Sequence, residues 1–154
     1  MPDPTSFLQQ AVALAYANIE KGGRPFGAVL VHHGAVIATG VNTIIATNDP
    51  TAHAEMNAIR AAAHALQSPR LAGSTVYASG QPCPMCMAAM RMAGVERVIY
   101  ACSNADGEPF GLSTAAISAD LARPFAEQSM AITHHPLEEE ADHALYRTWQ
   151  ARQS

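Results

Sequence analysis

Apolar residues recur along this chain at two spacings, and the switches between them mark the elements. Leu8, Val12, Ala15 and Ile19, with Phe7 beside them, follow helical spacing after Asp3-Pro4. They predict a helix over residues 5–20 with that stripe on the core, ended by Gly22-Gly23. Residues 26–32 and 35–40 are short apolar runs joined by His33-Gly34, which reads as a hairpin. A polar loop over 41–48 follows. Asp49-Pro50 then reads as an N-cap with proline at the first helical position, opening a helix to about Leu66. Residues 75–79 predict a strand, 84–93 a helix stopped by Gly94, and 98–102 a buried strand. Beyond them come a Gly-, Pro- and Asp-containing loop over 103–113, a short helix over 115–121 and a last strand over 130–133. Leu137, Ala141, Leu145 and Trp149 stand four apart and predict a final helix, with Glu138, Glu139 and Glu140 at its N-terminal end, where acids are favoured. Strands alternating with helices indicate a layered α/β domain, whose ligands gather at one end of the sheet.

Composition narrows the picture only a little. The 154 residues suit one domain, 1–154, with a proper core. A net charge of −4 and a single lysine, Lys21, weigh against a nucleic-acid partner, which calls for a basic surface. Three cysteines form no disulfide framework, which fits a reducing cytoplasm. No apolar run is long enough for a membrane span, and Met1-Pro2-Asp3-Pro4 lacks the features of a signal peptide.

The informative residues are His53-Ala54-Glu55 and Pro82-Cys83-Pro84-Met85-Cys86. Two cysteines three apart lie on one helical face and can grip one ion. Pro84 suits a first helical position, and thiolates at a helix N-terminus are stabilised by its dipole. With His53 as third ligand, a zinc ion keeps one open coordination position, and water held there ionises near pH 7, roughly. Glu55 stands two residues from His53, off its helical face. It is better placed as the acid/base that moves a proton between water, ring nitrogen and leaving amine. The alternatives are a redox pair at Cys83 and Cys86 or a structural zinc site. A structural site would want a fourth ligand, and a second C-x-x-C is absent.

On these motifs the chain resembles the cytidine deaminase-like superfamily. Residues 48–55 and 82–86, with 23–28 (GRPFGA) and 40–42, are similar to guanine deaminases and bacterial tRNA adenosine deaminases. The resemblance covers about the first two-thirds of the chain. It implies a three-layer α/β/α sandwich around a five-stranded mixed sheet, one zinc per subunit and a homodimer or larger. It also implies hydrolytic deamination of a free nucleobase or related aminated heterocycle, with tRNA adenosine editing as the alternative. Further roles come from it: Asn42 bonding the ring, Phe26 stacking beside it, and the backbone N–H groups of Ala54 and Cys83 facing the substrate edge. The chain departs from guanine deaminases in the loop Gly111-Leu112-Ser113-Thr114, where they carry an acidic pair, so Thr114 marks the position that bears on the base. Gln81 replaces a glutamate common before Pro82, and the aromatic C-terminal end of some guanine deaminases is missing. Other residues take plainer readings. Met85, Met87, Met90 and Met92 read as core or subunit-interface packing, Cys102 as a buried thiol, and Asp106 and Glu108 as solvated loop.

Overall fold

The computed structural model describes residues 3–153, so Met1, Pro2 and Ser154 lie outside the described residues. The chain divides into two compact units, residues 1–119 and 120–154.

In the first unit, helix α1 (Thr5–Glu20) begins where the Asp3 carboxylate accepts from the Thr5 N–H at 2.9 Å. Strands β1 (Gly27–His32) and β2 (Ala35–Val41) form the predicted hairpin, with His33 and Gly34 at φ 50° and 80°. A four-residue helix, α2 (Ile44–Thr47), occupies what the sequence suggested was loop. Helix α3 (Ala54–Leu66), strand β3 (Ser74–Gly80), helix α4 (Pro84–Ala93) and strand β4 (Arg97–Cys102) follow. The sheet is mixed, in the order β2-β1-β3-β4, with only β3 and β4 parallel.

Alternation along the central strands builds two cores. Val29, Val31 and Tyr77 face α1 and pack on Ala11. Ala28, Leu30 and Val76 face the other way, among Ala54, Ala58, Ala62 and Met90 of α3 and α4. Helices therefore cover both faces of the sheet, as a layered α/β domain requires.

Several expectations need correction. The sheet has four strands rather than five: residues 130–133 form no strand. The stripe of α1 is also shifted. Ala11, Ala15 and Asn18 are buried, while Ile19 is exposed. The reason is close approach, because a Cβ on Gly27 would lie 2.8 Å from Leu14 Cβ and 2.9 Å from Ala15 N. Helix and strand touch at small residues, and the bulkier Val12 and Ile19 are turned to the flank. Strand β4 is an edge strand, so its apolar run is half open and Tyr100 is exposed. Cys102 at its end is exposed as well, not buried. Asp49 does not open α3. Its carboxylate closes a turn onto the Thr51 N–H at 2.8 Å, and His53 is the N-cap. Of the methionines on α4, Met90 is core, while Met87 and Met92 are exposed.

Residues 103–113 fold into α5 (Asn104–Gly107) and a 3₁₀ turn (Glu108–Phe110), opened by a reciprocal cap between Ser103 and Asp106. Helix α6 (Ala115–Leu121) follows. In the second unit the final helix is shorter than its spacing predicts. A 3₁₀ turn (Glu138–Glu140) is separated from α7 (Ala144–Ala151) by His143 at φ 60°. Leu145 N–H is capped by the Glu140 carboxylate at 2.8 Å. No helix among the described residues is long and apolar enough to cross a membrane.

Candidate active site and metal centre

Four segments meet at one end of the sheet: the approach to β1 (Arg24, Phe26), the exit of β2 (Asn42), the N-terminus of α3 (His53, Glu55) and the β3–α4 turn (Gln81, Cys83). Antiparallel pairing of β1 with both neighbours puts its start beside the ends of β2 and β3. Two asparagine amides, that of buried Asn18 and that of half-buried Asn57, tie these segments together. Asn18 Nδ2 donates to the carbonyls of Arg24 (2.8 Å) and Asn42 (2.9 Å). Asn57 Nδ2 donates to the Val41 carbonyl at 2.8 Å and to Thr43 Oγ1 at 3.0 Å.

His53 and Cys83 are the N-cap residues of α3 and α4, and Cys86 sits in the first turn of α4 behind Pro84. His53 Nδ1 lies 3.5 Å from Cys83 Sγ and 3.6 Å from Cys86 Sγ. One ligand atom from each of the three residues falls within 4.8 Å of the others. Two sulfurs and an imidazole nitrogen this close form a donor set that suits zinc and leaves a coordination position open. The Cys83 thiol is lowered to about 4 by the Cys86 thiol hydrogen bond and the one to His53; Cys86 is pushed upward as the partner keeping the proton. The His53 imidazole is raised by its contact with Cys83. Glu55 is 6% exposed, and burial raises its carboxyl above the ordinary range. Desolvation disfavours the charged carboxylate, which makes this group a better proton acceptor than an exposed one.

The cavity over these groups measures about 200 Å³. It is lined by Phe26, Asn42, His53, Glu55, Cys83 and Thr114 from the expected set, together with Arg24, Ile44, Gln81 and Leu112. Ala54 is fully buried and does not line it. The Phe26 ring lies on Gly80, where a Cβ would come within 3.1 Å of it, and the Arg24 guanidinium stands 6.0 Å from the ring centroid. Asn42 Oδ1 accepts from the Ile44 N–H at 3.2 Å, which leaves the amide hydrogens for the cavity. Thr114 Oγ1 is buried without a hydrogen-bond partner. Arg24 was not singled out from the sequence, because arginines before strands are common on surfaces. Its place beside Phe26 at the ligand-gathering end of the sheet was the available signal.

Residues 1–102 match the model of the cytidine and deoxycytidylate deaminase zinc-binding region. The chain belongs to this zinc-dependent deaminase family. Guanine deaminase of Bacillus subtilis is 40% identical over 126 residues, 81% of each chain. A solved structure of guanine deaminase from Bacillus subtilis superposes with a TM-score of 0.90 at 36% identity, covering 97% of this chain and 94% of that one. The tRNA-specific adenosine deaminase of Agrobacterium fabrum is 40% identical over 107 residues, 70% of each. The deaminase is accordingly a zinc-dependent hydrolase of C–N bonds, and the redox and structural-zinc readings of Cys83 and Cys86 fall away.

Proposed function

We propose that the deaminase acts on a free nucleobase or related aminated heterocycle, with its likeness to guanine deaminase as the precedent. The observation that carries this reading is the small cavity over the His53, Cys83 and Cys86 cluster, with Glu55 buried in its wall. Its volume lies below the roughly 300–1,000 Å³ of sites for drug-sized ligands, which suits a single ring system. The reaction adds water across the ring C–NH₂ carbon: a C–O bond forms, the C–N bond breaks, and ring carbonyl and ammonia leave. Zinc, when bound, supplies Lewis-acid activation of that water. Glu55 takes the water proton, passes it to the ring nitrogen and serves the departing amine, a role worth about 10²–10⁴ in rate. Asn42 donates its free amide hydrogens to the ring, and Phe26 offers an aromatic face for stacking. In this reading the backbone N–H groups of Cys83 and Ala54, each at the start of its helix, serve the substrate edge.

The reading takes residues 1–154 as one deaminase domain working in a reducing cytoplasm, where Cys83 and Cys86 stay free to bind metal. It also takes a homodimer as the working form. The outer edge of β4 has no partner strand among the described residues, and Met87 and Met92 are exposed on α4. Phe125, Met130, Tyr146 and Trp149 are likewise exposed in the second unit. Such surface is ordinarily covered in a stable assembly. Sedimentation velocity giving a monomer at micromolar concentration removes the homodimer.

Ammonia release by the zinc-loaded protein tests the reaction, using guanine, adenine, cytosine, isocytosine, pterins, aminotriazines, their nucleosides and a tRNA anticodon stem-loop. Turnover of a free ring is expected. Activity on the stem-loop alone would overturn the reading in favour of tRNA adenosine editing.

A further inference from the structure

Arg24 brings the one permanent positive charge to the wall of the cavity over the metal cluster. It lines this cavity and not the larger apolar groove beside α1, which shares Phe26 with it. Its backbone is fixed, because the Arg24 carbonyl accepts from Asn18 Nδ2 at 2.8 Å and from the Phe26 N–H at 2.8 Å. Asn18 holds the Asn42 carbonyl with the same amide, so the arginine starts from a set point beside Asn42. The side chain is half-buried, and its guanidinium makes no hydrogen bond or ion pair among the described residues. Its Cζ stands 6.0 Å from the Phe26 ring centroid, the outer limit of cation–π attraction, and that contact uses none of its N–H donors. The charge also reaches the His53 imidazole, where it opposes the rise caused by the Cys83 contact, so the guanidinium is within electrostatic reach of the cluster. Nothing on the wall neutralises it. Glu55 is the only acid there, it forms no ion pair with Arg24, and its burial disfavours the charged form. Two thiolates already balance a zinc ion held with a neutral imidazole.

We infer that Arg24 is a substrate-binding, specificity-determining residue and that the ring deaminated here carries a carboxylate. This rests on the proposed deamination of a free ring. A guanidinium half-withdrawn from water and left without an acceptor is satisfied by an oxyanion. Its planar fork matches a carboxylate through two parallel N–H···O bonds. A phosphate offers similar oxygens, but in a nucleotide it arrives with a sugar. A cavity of about 200 Å³ suits one ring system with a small substituent instead. Phe26 and Arg24 then divide the work: the aromatic face takes the ring and the guanidinium takes the group at its edge. Hydrogen bonds to a charged group of this kind are worth roughly 10- to 100-fold in affinity.

The experiment compares rings that differ only in the carboxylate: cytosine with cytosine-5-carboxylate, and pterin with pterin-6-carboxylate. Guanine, adenosine and cytidine 5′-monophosphates and a tRNA anticodon stem-loop complete the set. For each, kcat/KM is measured on the zinc-loaded wild type, Arg24→Gln and Arg24→Lys. In parallel, calorimetry measures binding of the matched rings to the zinc-loaded Glu55→Gln variant, with and without Arg24→Gln. Wild type is expected to prefer the carboxylated ring of a pair by tenfold or more. Arg24→Gln is expected to cut that preference at least tenfold, through KM more than kcat. Arg24→Lys keeps the charge and loses the fork, so it should lose part of the preference, and it serves if Arg24→Gln does not fold. Added salt should erode the preference in wild type and leave Arg24→Gln unaffected, which a merely structural role would not produce. Turnover confined to rings without a carboxylate, guanine included, overturns the substrate class. Turnover of a nucleoside monophosphate or of the stem-loop in place of a carboxylated ring overturns it too. A preference unchanged in Arg24→Gln, or in Arg24→Lys where it stands in, overturns the role of Arg24. If no free ring is turned over, the parent reading fails. The calorimetric arm then still decides whether Arg24 holds a carboxylate, since binding that ignores the substitution, or no binding, overturns it.

Discussion

Gly40 should be as sensitive a position for metal binding as the ligands themselves, although it touches neither metal nor substrate. It lies in β2 directly beneath the first turns of α3, the helix that His53 caps and that carries Glu55. A Cβ there would lie 2.7 Å from Ala58 N, against the ordinary contact range of 3.4–4 Å, and closer still to the Ala54 carbonyl oxygen. Both obstacles are backbone, so no side-chain rotation relieves them, and α3 must retreat by at least about 0.7 Å. Overpacking of this kind costs roughly 3 kcal/mol at the upper end of its usual range, offset by about 0.4–1 kcal/mol from the stiffer unfolded chain. A net loss of about 2 kcal/mol lowers Tm by roughly 4–8 °C for a chain this long. Because α3 carries His53 and Glu55, a displacement on this scale should also cost on the order of 10² in kcat. Gly27→Ala is the control. It meets α1 with comparable severity, at 2.8 Å from Leu14 Cβ and 2.9 Å from Ala15 N, yet α1 carries no ligand. Differential scanning calorimetry with zinc stoichiometry should show both variants destabilised but only Gly40→Ala impaired in zinc retention. Equal zinc retention in the two would refute the argument that β2–α3 spacing sets the metal geometry.

Glu55→Ala should keep zinc and lose about 10²–10⁴ in kcat, read by metal analysis beside ammonia release; wild-type turnover would remove Glu55 from proton transfer. Chelating zinc should lower Tm, and restoring it should raise Tm in proportion to the logarithm of free zinc, because the ion binds the folded cluster of His53, Cys83 and Cys86. A Tm indifferent to zinc would contradict that cluster. Asn18→Ala leaves the buried carbonyl of Asn42 and that of Arg24 without their shared donor, so thermal unfolding should report a loss of about 1–3 kcal/mol and KM should rise. The Asp49 carboxyl is lowered by its side-chain and backbone hydrogen bonds to Thr51. Its folded value therefore lies below its unfolded one, and its contribution is present above the unfolded value and fades as pH falls through the folded one. Asp49→Asn should flatten the acid limb of stability measured against pH, and an unaltered limb would exclude this turn as its source.

Elements with local punctuation were legible in the sequence. The helix over residues 84–93 was bounded by Pro84 and Gly94, and the hairpin by His33-Gly34; both stand where those residues put them. Elements whose character depends on neighbours were not. The run over 98–102 has the composition of a buried strand, yet its exposure is decided by its place at the sheet edge. Residues 130–133 have strand composition but form no strand, since composition alone does not supply a pairing. Leu137 to Trp149 keep helical spacing across a break at His143 that the spacing does not register.

The metal ligands were legible in the sequence because each of the two motifs is short-range, while the fold brings His53 of one to the cysteines of the other. Cys83 and Cys86 meet across one helical turn, and His53 and Glu55 stand two residues apart. Side-chain type and motif spacing are enough to specify a zinc ligand set. Only the tertiary structure decided what surrounds them: Arg24 beside Phe26, the amide oxygens of Asn42 and Gln81 held by the Ile44 and Asn104 N–H groups, and Gly40 setting the seat of α3. The physical reason is that an amide has two faces and a glycine no side chain. What either contributes depends on which backbone group, far along the chain, comes to rest against it.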